Sequence, residues 1–246
     1  MSAKTLFLAW QDQDKRRWFP VGRLDADVAG ADYRFRYIHG ALQAQADAGF
    51  APLPEFPAFA GDYRSDQLFA LFRNRVIASG RPDRETYLQC LGLSADADPV
   101  AILSVSGGRR ATDIFEVFPK LRKRADGRFS CRFFVHGARH VPAVSRERMV
   151  RLSPEEPVYV TLELTNPATG LAVQIQTGDY HMIGWAPRYL ARDLAAAMVP
   201  VPDYAANVVR VNPEPAPWSQ RVLIEMRGSW NGHKPMSGDD FKVLAA

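Results

Sequence analysis

From Phe129 onward the apolar residues come in short runs that proline, asparagine and glycine repeatedly cut off, and this punctuation constrains the fold more than any other feature of the chain. The runs are Phe129–Val141, Val158–Thr165, Leu171–Gln176 and His181–Gly184, with Val208–Val211 and Arg221–Met226 further on. Stretches this short, rich in β-branched and aromatic residues and bounded by turn formers, suit strands. One helix is expected among them. Pro187 opens it, and Leu190, Leu194 and Met198 recur four apart along Arg188–Met198. Five or six short strands with one helix predict a small β-barrel-like domain of the OB type or a relative of it.

The first half reads differently. Thr5–Trp10 and Tyr33–Ile38 are expected strands, the second alternating strictly between apolar and polar residues, with turns at Gly22 and Gly30 between them. Ser65 reads as an N-cap for a helix over Asp66–Ser79, where Leu68, Phe69, Phe72 and Val76 fall at helical spacing before Gly80. Pro82 starts a second helix carrying Tyr87, Leu88 and Leu91, ended by Gly92 as a C-cap; a strand over Val100–Val105 and a Gly107–Gly108 turn follow. The whole chain is therefore expected to be α+β: a first domain over 1–119, a linker over 120–128 and a β-rich domain over 129–246.

Charge separates the halves more sharply. Residues 1–119 hold 14 Lys and Arg against 15 Asp and Glu, whereas residues 120–246 hold 17 against 12. The excess concentrates in 120–151, where ten basic residues face only Asp126 and Glu147, a net charge of +8. Such a field attracts polyanions, and each phosphate contact releases condensed counterions, so nucleic acid is the natural partner to test. A solvated linker and the wet face of a strand would carry the same charge. With 47% apolar residues the chain has the material for a packed core. No apolar run is long enough to span a bilayer and Met1–Trp10 is too short for a signal peptide, so a cytoplasmic protein without a membrane partner is expected. Cys90 and Cys131 lie far apart, outside any metal-ligand spacing, and are expected to be reduced.

Three segments then follow in a recognisable order: Phe134-Val135-His136-Gly137-Ala138-Arg139-His140, Asn166-Pro167-Ala168-Thr169-Gly170-Leu171-Ala172-Val173 and Ile183-Gly184-Trp185-Ala186-Pro187-Arg188-Tyr189-Leu190-Ala191. Over roughly 129–246 the chain resembles a HIRAN domain, a modified OB-like barrel of which several members bind DNA, with the helicase-fused type gripping a single-stranded 3′ end. The resemblance implies that Arg139 and His140 contact the terminal nucleotides. Val141 stands where a second aromatic often sits. It also implies that Asn166 and Thr169 occupy the Asn-Pro-x-Asp motif, whose acid binds the terminal hydroxyl, and that Trp185, Arg188 and Tyr189 line the nucleotide groove. Thr169 departs from the pattern: a neutral hydroxyl loses the charge-assisted bond of a carboxylate, so blocking the 3′ end is expected to matter only slightly.

The first half is similar to the small N-terminal subdomain of HipA-type toxin kinases, on Phe19-Pro20-Val21-Gly22-Arg23-Leu24, Tyr33-Arg34-Phe35-Arg36-Tyr37, Leu53-Pro54-Glu55-Phe56-Pro57 and Leu68–Arg75. In that family the subdomain contacts a DNA-binding antitoxin or modulates the kinase. The motifs of the kinase lobes do not follow it.

Catalytic groupings are sparse. Asp12/Asp14, Asp25/Asp27 and Asp96/Asp98 are Asp-x-Asp pairs in turn-like polar stretches, Ser104 and Ser106 lie outside any Gly-x-Ser-x-Gly, and the spacing of the five histidines names no base. Gly107-Gly108-Arg109-Arg110 reads as a turn rather than a phosphate cradle. The sequence thus points to a non-enzymatic DNA-binding accessory protein without cofactor, engaging single strands or ends and recruiting or regulating an effector such as a nuclease, helicase or toxin in bacterial defence or stress. Lys120, Arg122, Lys123 and Arg124 are expected to add phosphate contacts. The alternative is an antitoxin-like protein-interaction subunit that does not touch DNA.

Overall fold

The computed structural model describes residues 4–14, 16–110, 112–199 and 203–244. It is a mixed α/β structure whose sheets are all antiparallel, divided into two compact units: residues 1–88, 93–120 and 236–246 form the first, and residues 89–92 and 121–235 the second. Among the described residues no helix is long and apolar enough to cross a membrane.

In the first unit β1 (Lys4–Gln11), β2 (Trp18–Asp27), β3 (Asp32–Tyr37), β4 (Asp62–Ser65) and β5 (Phe115–Pro119) make one sheet in the order β4-β3-β2-β1-β5. The alternation in β3 puts Tyr33, Phe35 and Tyr37 in the core while Arg34 and Arg36 ion-pair with Asp62 and Asp25 on the other face. Gly22 is not a turn. It lies inside β2, where a Cβ would stand 2.5 Å from the Phe35 ring, so only glycine lets that ring cross the strand and stack on Phe56 at 3.9 Å. The helices are α1 (His39–Ala48), a single turn α2 (Ala70–Arg73), α3 (Arg84–Cys90) and α4 (Pro99–Ser106).

Two expectations fail here because side chains outside each segment set its structure. Val100–Val105 is helical because Asp98 caps it, accepting from Ala101 N at 2.7 Å, with Pro99 at the first helical position and left-handed Gly107 closing the end. The helix expected over Asp66–Ser79 shrinks to α2: the Ser65 hydroxyl accepts from Gln67 N in a local turn, and the carboxylate of Glu55 takes Ala70 N and Leu71 N. The residues after it bend inward. Arg75 is buried, bonded to Gly108 O and to both carboxylate oxygens of Asp113. The end of the chain also belongs to this unit, with Val243 bridging Ile38 and Phe241 packed 4.8 Å from Phe7, so the chain beyond 129 is not all one body.

The second unit contains β6 (Arg128–Phe134), α5 (Ala143–Val150), β7 (Val158–Asn166), β8 (Gly170–Thr177), β9 (Met182–Trp185), α6 (Ala191–Met198), β10 (Tyr204–Val211) and β11 (Val222–Ser229). They form two three-stranded sheets, β10-β11-β6 and β7-β8-β9, and no closed barrel among the described residues. Closure fails because the seams are single bridges, Pro157 to Asn207 and His136 to Trp185, rather than ladders. Proline at the first seam has no N–H to give, β10 is bulged between Val208 and Arg210, and the chain leaves β6 through left-handed Gly137 into a 3-10 turn, Ala138–His140. The stretch expected as a linker is partly folded: Leu121 is buried, Arg124 N donates to Arg128 O, and Arg122, Lys123 and Arg124 remain exposed.

Candidate nucleic-acid interface

The three motifs meet at the His136–Trp185 seam. His136 N donates to Trp185 O at 2.8 Å and Trp185 N returns a bond to His136 O at 2.9 Å. Two glycines permit this approach. A Cβ on Gly184 would lie 2.3 Å from His136 O, and one on Gly137 would lie 2.6 Å from the Trp185 ring. Both have positive φ, 141° and 73°, so the indole lies directly over the backbone that turns into Arg139 and His140.

Arg139 and His140 are exposed on that turn, with Arg139 Nε donating to His140 Nε2 at 2.9 Å. The bond needs an unprotonated ring nitrogen on His140. Ala138 and Val141 are buried on either side and fix the turn from within. From α5, the Arg146 guanidinium donates to Val141 O at 2.8 Å and Arg139 O at 3.4 Å, bracing it from outside.

The acid at this site is Glu163, which the sequence reading missed. Trp185 Nε1 donates to Glu163 Oε2 at 2.8 Å, and Asn166 Nδ2 donates to the same oxygen at 2.9 Å. These bonds, Asn166's first and Trp185's second, hold the Glu163 carboxyl below its usual range, so it is charged at neutral pH. Its placement follows from register. Thr161 pairs with Gln174 and Gln174 with Trp185, and the alternation of β7 carries Tyr159, Thr161 and Glu163 along one face. Glu163 is three residues before the Asn-Pro motif, which is the only sequence signal for it.

Asn166 and Thr169 are brought to the site but are engaged in the β7–β8 turn. Asn166 Oδ1 accepts from Ala168 N, Thr169 N and the Thr169 hydroxyl at 3.0, 3.2 and 3.0 Å. Arg188 (exposed) and Tyr189 (half-buried) follow Trp185 on a 3-10 turn, Arg188–Leu190, after Pro187. The basic residues before β6 are not part of this cluster. Lys120 belongs to the first unit, where its N–H bonds Thr5 O; in the second, Lys123 reaches His233 O at 3.2 Å and Arg124 lies 3.7 Å from Asp126.

The other candidate groups are structural. Asp25 takes Thr5, Arg23 and Arg36, Asp98 caps α4 and pairs with Lys4, and Gly107 ends α4. Among the described residues no three His, Cys, Asp or Glu side chains converge as metal ligands. Burial pushes the Cys131 thiol up to about 12, leaving it an inert core group.

A family model of the HIRAN domain matches residues 128–230, less than half of the chain and nearly all of the second unit. No curated protein matches the chain significantly. A crystal structure of a protein from Lactobacillus plantarum is similar over 43% of this chain and 100% of its own length, at 17% identity and a TM-score of 0.34, which supports no inference.

Proposed function

We propose, from the HIRAN match and this cluster together, that the second unit binds single-stranded DNA and favours a free 3′ end. HIRAN domains are associated with DNA binding. The observation that carries the reading is the joint placement of an indole, a charged carboxylate and an arginine on one seam: Trp185 over Gly137, Glu163 bonded to that indole, and Arg139 on the turn that Gly137 begins. The indole offers a base-stacking surface, Arg139 a phosphate contact, and Glu163 an acceptor for the terminal hydroxyl in place of Thr169. In this reading the role is a non-enzymatic, accessory one, in which these three side chains bind and orient the strand. In the same reading the first unit, with its likeness to the N-terminal subdomain of HipA-type kinases, docks a protein effector in bacterial defence or stress.

The test is a titration of single strands ending in a 3′-hydroxyl or a 3′-phosphate. A carboxylate accepting the hydroxyl repels the phosphate, so a loss of about tenfold or more is expected on blocking, abolished in Glu163→Gln. Equal binding of both ends would leave strand binding without end reading. Absence of binding to either would favour the protein-interaction alternative.

A further inference from the structure

The wet face of β10-β11-β6 carries a cleft of about 600 Å³, within the second unit and apart from the Trp185 cluster. Strict alternation builds it. Phe129, Cys131 and Phe133 enter the core, leaving Arg128, Ser130 and Arg132 outside, and register sets Ser130 opposite Arg227 and Arg128 opposite Ser229. Gly228 lies at its floor. A Cβ there would stand 2.7 Å from Asp203 O and 3.0 Å from the Phe129 ring, so glycine allows the strands to close up. The turn in which Gly127 N donates to Arg124 O places Arg124 at the rim.

Charge on this face is unbalanced. Glu225 is the acid shared by Ser130, Arg132 and Arg227, so one carboxylate faces two guanidinium groups. Asp203 is held by the Ser229 hydroxyl at 2.8 Å. Arg128 has no ion-pair partner among the described residues, and Arg124 and Arg227 keep 72% and 66% of their side-chain surface exposed. Phe129 is stacked on Trp230 at 3.9 Å, and Tyr204 is anchored by donating its hydroxyl to Val160 O. A face on which guanidinium groups outnumber the carboxylates that hold them recognises phosphate.

We propose that this cleft is a second subsite, holding the phosphodiester backbone of a strand whose end lies at Trp185; it rests on the DNA-binding reading above. Arg128 and Phe134 are the two ends of a seven-residue strand, and the Gly137 turn follows Phe134, so the subsites are roughly 20 Å or more apart. A strand must therefore exceed a few nucleotides to reach both.

The experiment measures binding of the full chain to oligothymidylates of about four and about twelve nucleotides at several salt concentrations. Arg128→Gln/Arg227→Gln is expected to weaken the long strand about tenfold and to reduce its salt slope by about two, leaving the short strand unchanged. Should the double variant not fold, Arg128→Gln alone, which breaks no ion pair among the described residues, should lower the slope by about one. Unchanged affinity and slope on the long strand, with Trp185→Ala still weakening both lengths, would overturn the cleft alone. A long strand sensitive to the arginines and not to Trp185 would support the cleft and remove the Trp185 site. Failure of the wild type to bind either strand would overturn both. Adenosine monophosphate as competitor should leave the long strand bound; displacement that is lost in Arg128→Gln would make this a free-nucleotide site and overturn the backbone assignment.

Discussion

Trp185→Ala is expected to weaken single-strand binding by about ten- to a hundredfold, since stacking on an aromatic contributes about 1–3 kcal/mol per base and each 1.4 kcal/mol is tenfold. The indole has two jobs at the seam. Its ring covers Gly137, and its N–H donates to Glu163. Trp185→Phe separates them, keeping an aromatic face but losing the bond to the carboxylate. It is expected to stay within about threefold of wild type on a 3′-phosphorylated strand, where Glu163 contributes nothing favourable. Fluorescence anisotropy with labelled strands measures both, and equal binding by Trp185→Ala and wild type would remove the indole from the interface.

The largest expected effect on stability lies in the other unit, at Arg75. Its side chain is 2% exposed, its guanidinium takes both carboxylate oxygens of Asp113 at 3.0 and 2.5 Å, and its planar group lies 5.5 Å from the Phe115 ring. Asp113→Ala leaves that charge buried with only Gly108 O. Breaking one partner of a buried pair costs roughly 3–5 kcal/mol; because Asp113 is partly exposed, the lower end is expected, a fall in Tm on the order of 10 °C by calorimetry. If the two units fold as separate bodies, strand binding measured well below that transition should be unaffected. A shift under 2 °C would show that water reaches Arg75 readily in the variant.

What was legible in the sequence was local. β3 and α6 stand where alternation and four-residue spacing put them, and β7 and β8 where short β-rich runs are cut off by turn formers, because each of these signals lies within its own segment. Patterns fail where a side chain outside the segment decides the outcome. Glu55, fifteen residues before Ala70, reshapes the segment expected as a long helix, and Asp98 turns an apolar β-branched run into α4. A barrel is an extrapolation from strand count, whereas closure depends on seams that Pro157 and Gly137 limit to bridges. At the candidate site the order of the motifs named Arg139, His140 and Trp185, but Glu163 is set beside Trp185 by the register of β7, β8 and β9, which no single segment encodes.

In the proposed function the second unit binds DNA as a single strand, through phosphates and one stacked base. The decisive measurement titrates the full chain with a single strand and with the blunt duplex of the same sequence at ~50 and ~200 mM salt. The single strand is expected to bind more tightly than the duplex at both concentrations, with its affinity falling by at least about tenfold between them. No binding of the single strand at the lower salt, or binding that salt leaves unchanged, would contradict it.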